Sequence, residues 1–302
     1  MANFAYRSPS VISALSVTAI LIVAFASGST ILAQTPPTHG PLELTSALGR
    51  KLYALPEDAA VGKARVALNA DPKNPALALD LSKALAARRQ YNEAVSVDTA
   101  ALTAAPTNAE LFLERGHREL GLRKFAAAQA DLEYANKLDP KLVDAYYHLA
   151  LAHYFQGQFA DAAKFFAQGR ELAKTDDLLI DYTAWLYSSL RRAGKQEEAT
   201  AALARITPEM KNTGPHLFFY LQLVRFYQGK RTADEILPPP PNPPGDIESE
   251  LSFNTVNFGV GTWNLYNHNN SNAINLFRKV VQGDAWNAWG FVGSETELVR
   301  SH

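Results

Sequence analysis

Residues 109–142 read AELFLERGHRELGLRKFAAAQADLEYANKLDPKL, and residues 143–176 read VDAYYHLALAHYFQGQFADAAKFFAQGRELAKTD. The two stretches are equal in length, and the second follows the first without a gap. Small residues stand at matching positions in the two, namely Gly116 with Ala150 and Ala128 with Ala162. Because two helices cross closely only where their side chains are small, each stretch is predicted to fold as a pair of helices packed against each other.

The same interval extends one unit further towards the N-terminus. It separates three prolines, three sets of small residues and one set of aromatic residues: Pro72, Pro106 and Pro140; Ser82, Gly116 and Ala150; Ala94, Ala128 and Ala162; Ala101, Ala135 and Gly169; Tyr91, Phe125 and Phe159. Asp98 stands where Leu132 and Phe166 stand in the next two units, which weakens the first copy. The pattern predicts three regular helix pairs over residues 75–176.

The composition excludes several classes of function. The chain has 302 residues, of which 47% are apolar and 20% are charged, and its net charge is −1. Without a basic excess to neutralise phosphates, we expect no nucleic-acid partner. Cysteine is absent, and the sequence has no glycine-rich phosphate loop, nucleophile elbow or metal-type histidine spacing. We therefore predict a protein that is not an enzyme and holds no metal or cofactor; His153 is interpreted as a buried, hydrogen-bonded histidine.

The N-terminal segment, residues 1–33, has the pattern of an export signal. Arg7 precedes an apolar run over residues 11–26, and Ala33 offers a small residue at a cleavage position. An uncleaved membrane anchor is the alternative, since residues 11–33 are long enough to span a bilayer. Either reading predicts an exported protein, periplasmic or secreted, with membrane contact only if the segment stays uncleaved.

The remaining segments are predicted to be less regular. Residues 34–43 form a disordered proline-rich tether, residues 44–72 a degenerate helix pair, and residues 177–237 two irregular pairs. Residues 238–247 form an extended spacer that begins with PPPPNPP, and residues 248–302 form a final pair with a capping helix. The predicted fold is an all-α solenoid of about six helix pairs plus a C-terminal capping helix.

The regular units resemble tetratricopeptide repeats, whose length of about 34 residues and small-residue positions they share. The resemblance implies a right-handed superhelix in which the first helix of each unit lines a concave groove that binds peptides or proteins. On this chain the groove positions give the candidate partner-binding residues Lys83, His117, Tyr147, Leu151, Tyr154, Phe155 and Arg191. The alternative is that the chain's own C-terminal helices cover these aromatic residues. A co-chaperone type of carboxylate clamp is not supported, because Leu79 and Lys83 stand at its positions.

Residues 143–300 resemble the C-terminal half of a family of periplasmic tetratricopeptide adaptors, the new lipoprotein I family. The resemblance rests on DYTAWL at residues 181–186, on the short pair at residues 217–236, and on residues 257–264 leading into Ala273 and Phe277. It implies a dimeric adaptor that brings envelope enzymes together with their substrates. This chain differs in having no lipid-accepting cysteine and in carrying the proline spacer.

Three functions remain open on the sequence. The first is an exported scaffold or adaptor that binds protein or peptide partners of the cell envelope, with a homodimer as one arrangement. The second is a cell-wall or carbohydrate-binding module in residues 211–302, where Trp263, Trp286 and Trp289 would stack on a sugar and the asparagine-rich residues 264–272 would donate hydrogen bonds. The third is an array whose role is to assemble with copies of itself.

Overall fold

The structure is a computed structural model that describes residues 39–211, 218–242 and 246–301. In chain order the elements are strands β1 (Leu42–Thr45) and β2 (Lys51–Tyr53), then helices α1 (Ala59–Ala70), α2 (Pro75–Ala87), α3 (Tyr91–Ala104), α4 (Ala109–Gly121), α5 (Phe125–Leu138), α6 (Val143–Phe155), α7 (Phe159–Leu172), α8 (Asp176–Arg192), α9 (Gln196–Leu203), α10 (Phe218–Tyr227), α11 (Ala233–Ile236), α12 (Ile247–Tyr266), α13 (Asn270–Val280) and α14 (Trp289–Arg300). The predicted export signal lies outside the described residues. Within the described part of the chain, no helix has both the length and the apolarity needed to cross a membrane.

The three regular units fold as predicted. Their first helices, α2, α4 and α6, begin at Pro75, Ala109 and Val143, which are the predicted unit boundaries. Their second helices begin at the aromatic residue that recurs in the sequence pattern. The side chains of Asn74 and Asn108 accept backbone N–H groups at the start of α2 and α4, and so satisfy donors that a helix N-terminus leaves free. The prediction of an all-α repeat fold is confirmed, with α8 to α13 forming the further pairs and α14 following them.

The small residues lie where the two helices of a unit touch. Ala94, Ala128 and Ala162 have no exposed surface. A side chain added at Gly116 would place its Cβ 2.8 Å from Leu132 Cγ and 3.2 Å from the carbonyl oxygen of Ala128. No side chain fits into that gap without moving the partner helix, so the small residue fixes the distance between α4 and α5.

The first unit replaces an apolar contact with a hydrogen bond. Ser82 and Asp98 occupy the positions of Gly116 and Leu132, and the Ser82 hydroxyl donates to Asp98 Oδ2 at 2.8 Å. Both side chains are fully buried. Burial raises the pKa of Asp98 to about 7, although the Ser82 hydrogen bond opposes the shift. The first unit therefore departs from the sequence pattern at two positions that contact each other, with a carboxyl group facing a hydroxyl group.

Each helix pair reverses direction through one residue in the left-handed region. These residues have φ between 59° and 81°, and they are Arg89, Arg123, Gly157, Gly194, Gly229 and His268. The residue that follows each of them donates its N–H to the carbonyl five positions back, as Gln158 does to His153 at 2.9 Å. This arrangement closes the C-terminus of the first helix and satisfies its last carbonyl groups. The same turn recurs in the pairs where the sequence spacing is no longer regular.

The predicted degenerate pair at residues 44–72 is wrong in its first half, where the structure has a β-hairpin. β1 pairs antiparallel with β2, and β1 begins inside the predicted tether at Leu42. The leucines at positions 44, 48 and 52 stand four residues apart, a spacing that a helix also shows. However, Gly49 adopts a φ of 80° and Ser46 Oγ accepts N–H groups from Leu48 and Arg50, so a tight turn reverses the chain. The second half is helical, as α1.

The irregular C-terminal units keep the predicted order with shifted boundaries. α10 and the short helix α11 are the predicted short pair, with Thr232 forming a capping box with Glu235. α12 begins at Ile247, within the predicted spacer, and the capping helix α14 begins at Trp289. Residues 238–242 and 246 of the spacer form neither helix nor strand.

The substitution Ala128→Arg tests the packing of a unit. The added side chain would overfill the contact between α4 and α5 and bury a charge, so we expect a loss of about 3–5 kcal/mol in unfolding free energy. Ala127 is exposed on the same helix, and Ala127→Arg is the matched control, with an expected change of about 0.5 kcal/mol or less. Thermal melts of the two variants give the comparison. Equal melting temperatures would contradict the packing described here.

The substitution Asp98→Asn tests the buried carboxyl group. An aspartate whose folded pKa is raised is stabilising as the neutral acid, and that stability is lost as the pH rises from about 4 to about 7. Asparagine has no proton to lose. The unfolding free energy of the variant, relative to that of the wild type, should therefore increase by ~2–4 kcal/mol as the pH rises through this window and remain level above it. Denaturant titrations at several pH values measure the difference. A difference independent of pH, or the same trend in the exposed control Asp80→Asn, contradicts the prediction.

Candidate functional site

The first helices of successive pairs lie on one side of the stack, which we call the inner face. α2 contacts α4, α4 contacts α6, α8 contacts α10, and α10 contacts α12. The second helices of the described pairs make no comparable contacts with each other. The stack is therefore more closely packed on the inner face, which is where the resemblance to tetratricopeptide repeats places a binding groove.

Four of the predicted groove residues do not line an open groove. Tyr147, Leu151, Tyr154 and Phe155 all point into the core, and Leu151 and Tyr154 have no exposed surface. The ring of Tyr154 lies against Phe159, Trp185 and Phe258, at centroid distances of 5.1, 5.3 and 6.2 Å. Helices α8, α10, α12 and α14 cover these side chains, so their contact with a partner stays a prediction. Burying these apolar side chains against other helices is more favourable than exposing them to water.

Helix α14 begins with a tryptophan that packs against aromatic rings of the inner face. The Trp289 ring lies 5.2 Å from the ring of His117, 5.7 Å from His148 and 6.2 Å from Phe155. The two histidine rings stack on each other at 4.1 Å. Burial lowers the pKa of both, that of His148 to about 4, so the pair is neutral and acts as an aromatic surface for the tryptophan. Thus the predicted groove residue His117 contacts the chain's own last helix.

Two carboxylates of α14 are paired with arginines, of which Arg123 and Arg192 precede α14 in the chain and Arg300 lies on α14 itself. Glu295 lies 2.8 Å from the guanidinium of Arg123, and Glu297 lies 2.7 Å from both Arg192 and Arg300. Glu295 and Glu297 are almost completely buried. Arg300 also donates to the carbonyl oxygens of Tyr154, at 3.2 Å, and Phe155. A cation at these carbonyls complements the negative C-terminal end of α6.

The N-terminal hairpin contacts the same C-terminal region. The backbone N–H of Ala47 donates to Glu295 at 3.1 Å, and Arg50 donates to the carbonyl oxygen of Val281 at 2.7 Å. The indole N–H of Trp286 donates to the carbonyl oxygen of Tyr53 at 2.8 Å. The first and last parts of the described chain are therefore joined, and the described repeats do not form a stack with two separate ends.

One part of the inner face stays open to solvent, and we call it the arginine cleft. It has a volume of about 460 Å³ and lies between the C-terminal ends of α8, α12 and α14 and the start of α9. Its lining residues are Arg191, Arg192, Gly194, Gln196, Leu265, Tyr266, His268, Glu297, Arg300 and Ser301. Among these described residues, three guanidinium groups face a single carboxylate, so the cleft carries an excess of positive charge.

Of the predicted groove residues, Arg191 lies in this cleft. Its guanidinium stacks on the Tyr266 ring at 4.4 Å and donates to Tyr187 at 3.2 Å and to Asn267 at 3.4 Å. Lys83 lies instead on α2, where it is paired with Glu110 at 2.6 Å. The structure therefore does not bring the seven predicted residues together into one surface.

Glu297, Arg300 and His268 complete the cleft and were not predicted from the sequence. A signal for α14 was present, because Gly290 and Gly293 stand one helical turn apart on that helix. A Cβ on Gly290 would lie 2.3 Å from the backbone of Asn254, and one on Gly293 would lie 2.5 Å from the Phe258 ring. Glycines at helical spacing predict that one face of the helix lies tightly against another element.

The tryptophans proposed for sugar binding are occupied within the protein. Trp263 packs against Phe226 at 5.1 Å, Trp286 against Tyr91 at 5.4 Å, and Trp289 against the histidine pair. Asn264 is buried and donates to the carbonyl oxygen of Val260. The arrangement gives no support to a carbohydrate-binding module in residues 211–302.

In the part of the chain that the structure describes, no group of three or more His, Asp or Glu side chains is placed to hold a metal ion. His153 is buried and hydrogen-bonded to Gln158, as predicted.

The chain is similar in structure to several helical repeat proteins. A tetratricopeptide repeat protein from Parabacteroides merdae ATCC 43184 matches 79% of this chain and 91% of its own, at 18% identity and a TM-score of 0.48. YrrB, described as a tetratricopeptide protein with an unusual peptide-binding site, matches 74% of this chain and 93% of its own, at 13% identity and a TM-score of 0.46. MamA matches 57% of this chain and 90% of its own, at 20% identity and a TM-score of 0.44.

No protein-family model matches the chain, and no curated protein matches it. The repeat assignment rests on the chain itself, on three consecutive helix pairs of equal length with small residues at their contacts.

The pairing of α14 with the inner face can be tested at Glu295. Glu295→Gln would leave the buried Arg123 without a countercharge, so we expect a loss of about 3–5 kcal/mol in unfolding free energy. The exposed pair of Glu171 with Arg205 is the control, and Glu171→Gln should cost about 1 kcal/mol or less. Removing Arg123 as well, in Arg123→Met with Glu295→Gln, should restore part of the loss. Denaturant unfolding measures all three, and equal losses at Glu295 and Glu171 would contradict the assignment.

Proposed function

We propose that this tetratricopeptide repeat protein is an exported, non-catalytic scaffold that binds protein partners at the open end of its inner face. The observation that carries the proposal is the arginine cleft, a solvent-open volume of about 460 Å³ on the face that repeats of this kind use for binding. The aromatic part of that face is covered by α8, α10, α12 and α14. A partner is therefore expected to bind beside the last helix, at the ends of α8 and α12.

The non-catalytic role is supported by the way the ionisable side chains are engaged. Asp98 accepts from Ser82, and Asp181 accepts from the Tyr147 hydroxyl at 3.2 Å. Burial raises the pKa of Asp181 to about 8, and the Tyr147 hydrogen bond opposes that shift. The two neutral histidines lie under Trp289. These groups form contacts between helices, which accounts for their unusual pKa values without a reaction.

Export and the adaptor role belong to the proposal. The sequence of residues 1–33 supports an extracytoplasmic location, in the periplasm or outside the cell. The resemblance of residues 143–300 to the new lipoprotein I family supports a role as an adaptor for envelope enzymes, with a homodimer as the form to be tested. The filled inner face makes a long peptide lying along the whole groove a poor candidate partner.

The scaffold role is tested by crosslinking in the native cell. A photo-crosslinking residue at Gln196, exposed at the edge of the arginine cleft, should capture a defined protein of the cell envelope. The same residue at Gln168, exposed on the second helix α7, should not capture it. Cell fractionation in the same experiment locates the chain. Equal capture from both positions would contradict binding at the cleft, and capture of the chain itself alone would favour self-assembly.

A further inference from the structure

We propose that the arginine cleft recognises carboxylate groups on an acidic segment of a protein partner. This inference rests on the proposed function and names the chemistry of the partner at that same site. Its central residue is Arg191, whose guanidinium faces the cleft without a carboxylate to pair with among the described residues.

The charge balance of the cleft favours an anion. Arg191, Arg192 and Arg300 each carry a full positive charge, and among the described residues Glu297 is the one carboxylate that lines the cleft. Glu297 is already shared between Arg192 and Arg300, at 2.7 Å from each. His268, exposed at the edge, adds no negative charge. An incoming carboxylate would bring the charge nearer to neutrality, whereas a cationic group would be repelled.

Arg191 is held in a geometry that suits a carboxylate. Its planar guanidinium lies over the Tyr266 ring at 4.4 Å and within 5.9 Å of the Tyr187 ring. Its hydrogen bonds go to two neutral acceptors, Tyr187 and Asn267, and they are long, at 3.2 and 3.4 Å. A guanidinium has five N–H donors in a rigid fork, so donors remain for two parallel bonds to one carboxylate. The aromatic contacts limit the freedom that Arg191 would lose on binding.

The inner face already binds carboxylates in this way within the chain. Arg123 is matched by Glu295 of α14, and Glu297 of α14 is matched by Arg192 and by Arg300 of the same helix. Arg191 neighbours this matched set and is left over from it. A protein segment that carries Asp or Glu side chains would pair with Arg191 in the open cleft in the same way. These pairs within the chain are all with carboxylates, so they favour a carboxylate over a free phosphate ion as the ligand.

The test measures peptide binding to the full chain by calorimetry. The probes are an amidated glutamate-rich peptide, its glutamine counterpart of equal length, and inorganic phosphate. We expect the glutamate peptide to bind at least about tenfold more tightly than the glutamine peptide, with an affinity that falls as salt is added. Arg191→Gln should weaken binding of the glutamate peptide about tenfold, because it removes the fork and the charge. Arg231→Gln, at an exposed arginine on the α10–α11 connection, should leave it unchanged.

Three results would overturn the proposal: equal affinity for the two peptides, unchanged binding in Arg191→Gln, or Arg191-dependent binding of phosphate without binding of the glutamate peptide. No buried carboxylate depends on Arg191 among the described residues, so the variant should fold, and a thermal melt verifies this. The salt dependence of the wild-type protein gives a second measurement that needs no variant. If crosslinking at Gln196 captures a partner and Arg191→Gln does not weaken the capture, the carboxylate assignment fails and the scaffold role stands. If the glutamate peptide binds and no partner is captured, the carboxylate assignment stands and the scaffold role fails.

Discussion

The close approach of paired helices at very small side chains is the constraint from which the rest of the structure follows. At Gly116 there is no room for a Cβ against Leu132, and Ala128 opposite is fully buried. Pairs held at this distance stack with their first helices in contact, which gathers the aromatic and aliphatic side chains of those helices on the inner face. A face of that composition is stable in water only when another element covers it.

Helix α14 supplies this cover, and it does so with polar as well as apolar contacts. Trp289 covers the histidine pair, while Glu295 and Glu297 enter the protein opposite arginines. Burying a carboxylate is unfavourable unless a countercharge and hydrogen bonds meet it, so these pairs fix one register of the helix on the face more than they add stability. The hairpin at the other end of the chain contributes through Ala47, which donates to Glu295. The filled groove is thus a consequence of how both ends of the described chain meet.

Local features of the fold could be predicted from the sequence, and contacts between distant segments could not. The unit boundaries at Pro75, Ala109 and Val143 follow from a pattern that recurs at a fixed interval along the chain. The hairpin was not predicted, because leucines four residues apart also fit a helix and the single turn at Ser46 and Gly49 is a weak signal in a sequence. Four of the seven groove residues were placed on the correct helices and yet are buried, because the helices that cover them, α8, α10, α12 and α14, come from later parts of the chain. Position within a repeat predicts which face a side chain is on; it does not predict what else will cover that face.

The left-handed turns explain why the irregular units still extend the stack. Gly194, Gly229 and His268 close their helices with the same backbone hydrogen bonds as Arg89, Arg123 and Gly157, although the sequence spacing has slipped. Because the turn sets how the second helix leaves the first, the ends of α8 and α12 still come together on the inner face beside α14. Two of the turn residues, Gly194 and His268, line the arginine cleft directly. The cleft is therefore formed by repeated backbone geometry, and its charge comes from side chains outside the repeat pattern, which leaves Arg191 half-buried at a site that the repeats position but do not fill.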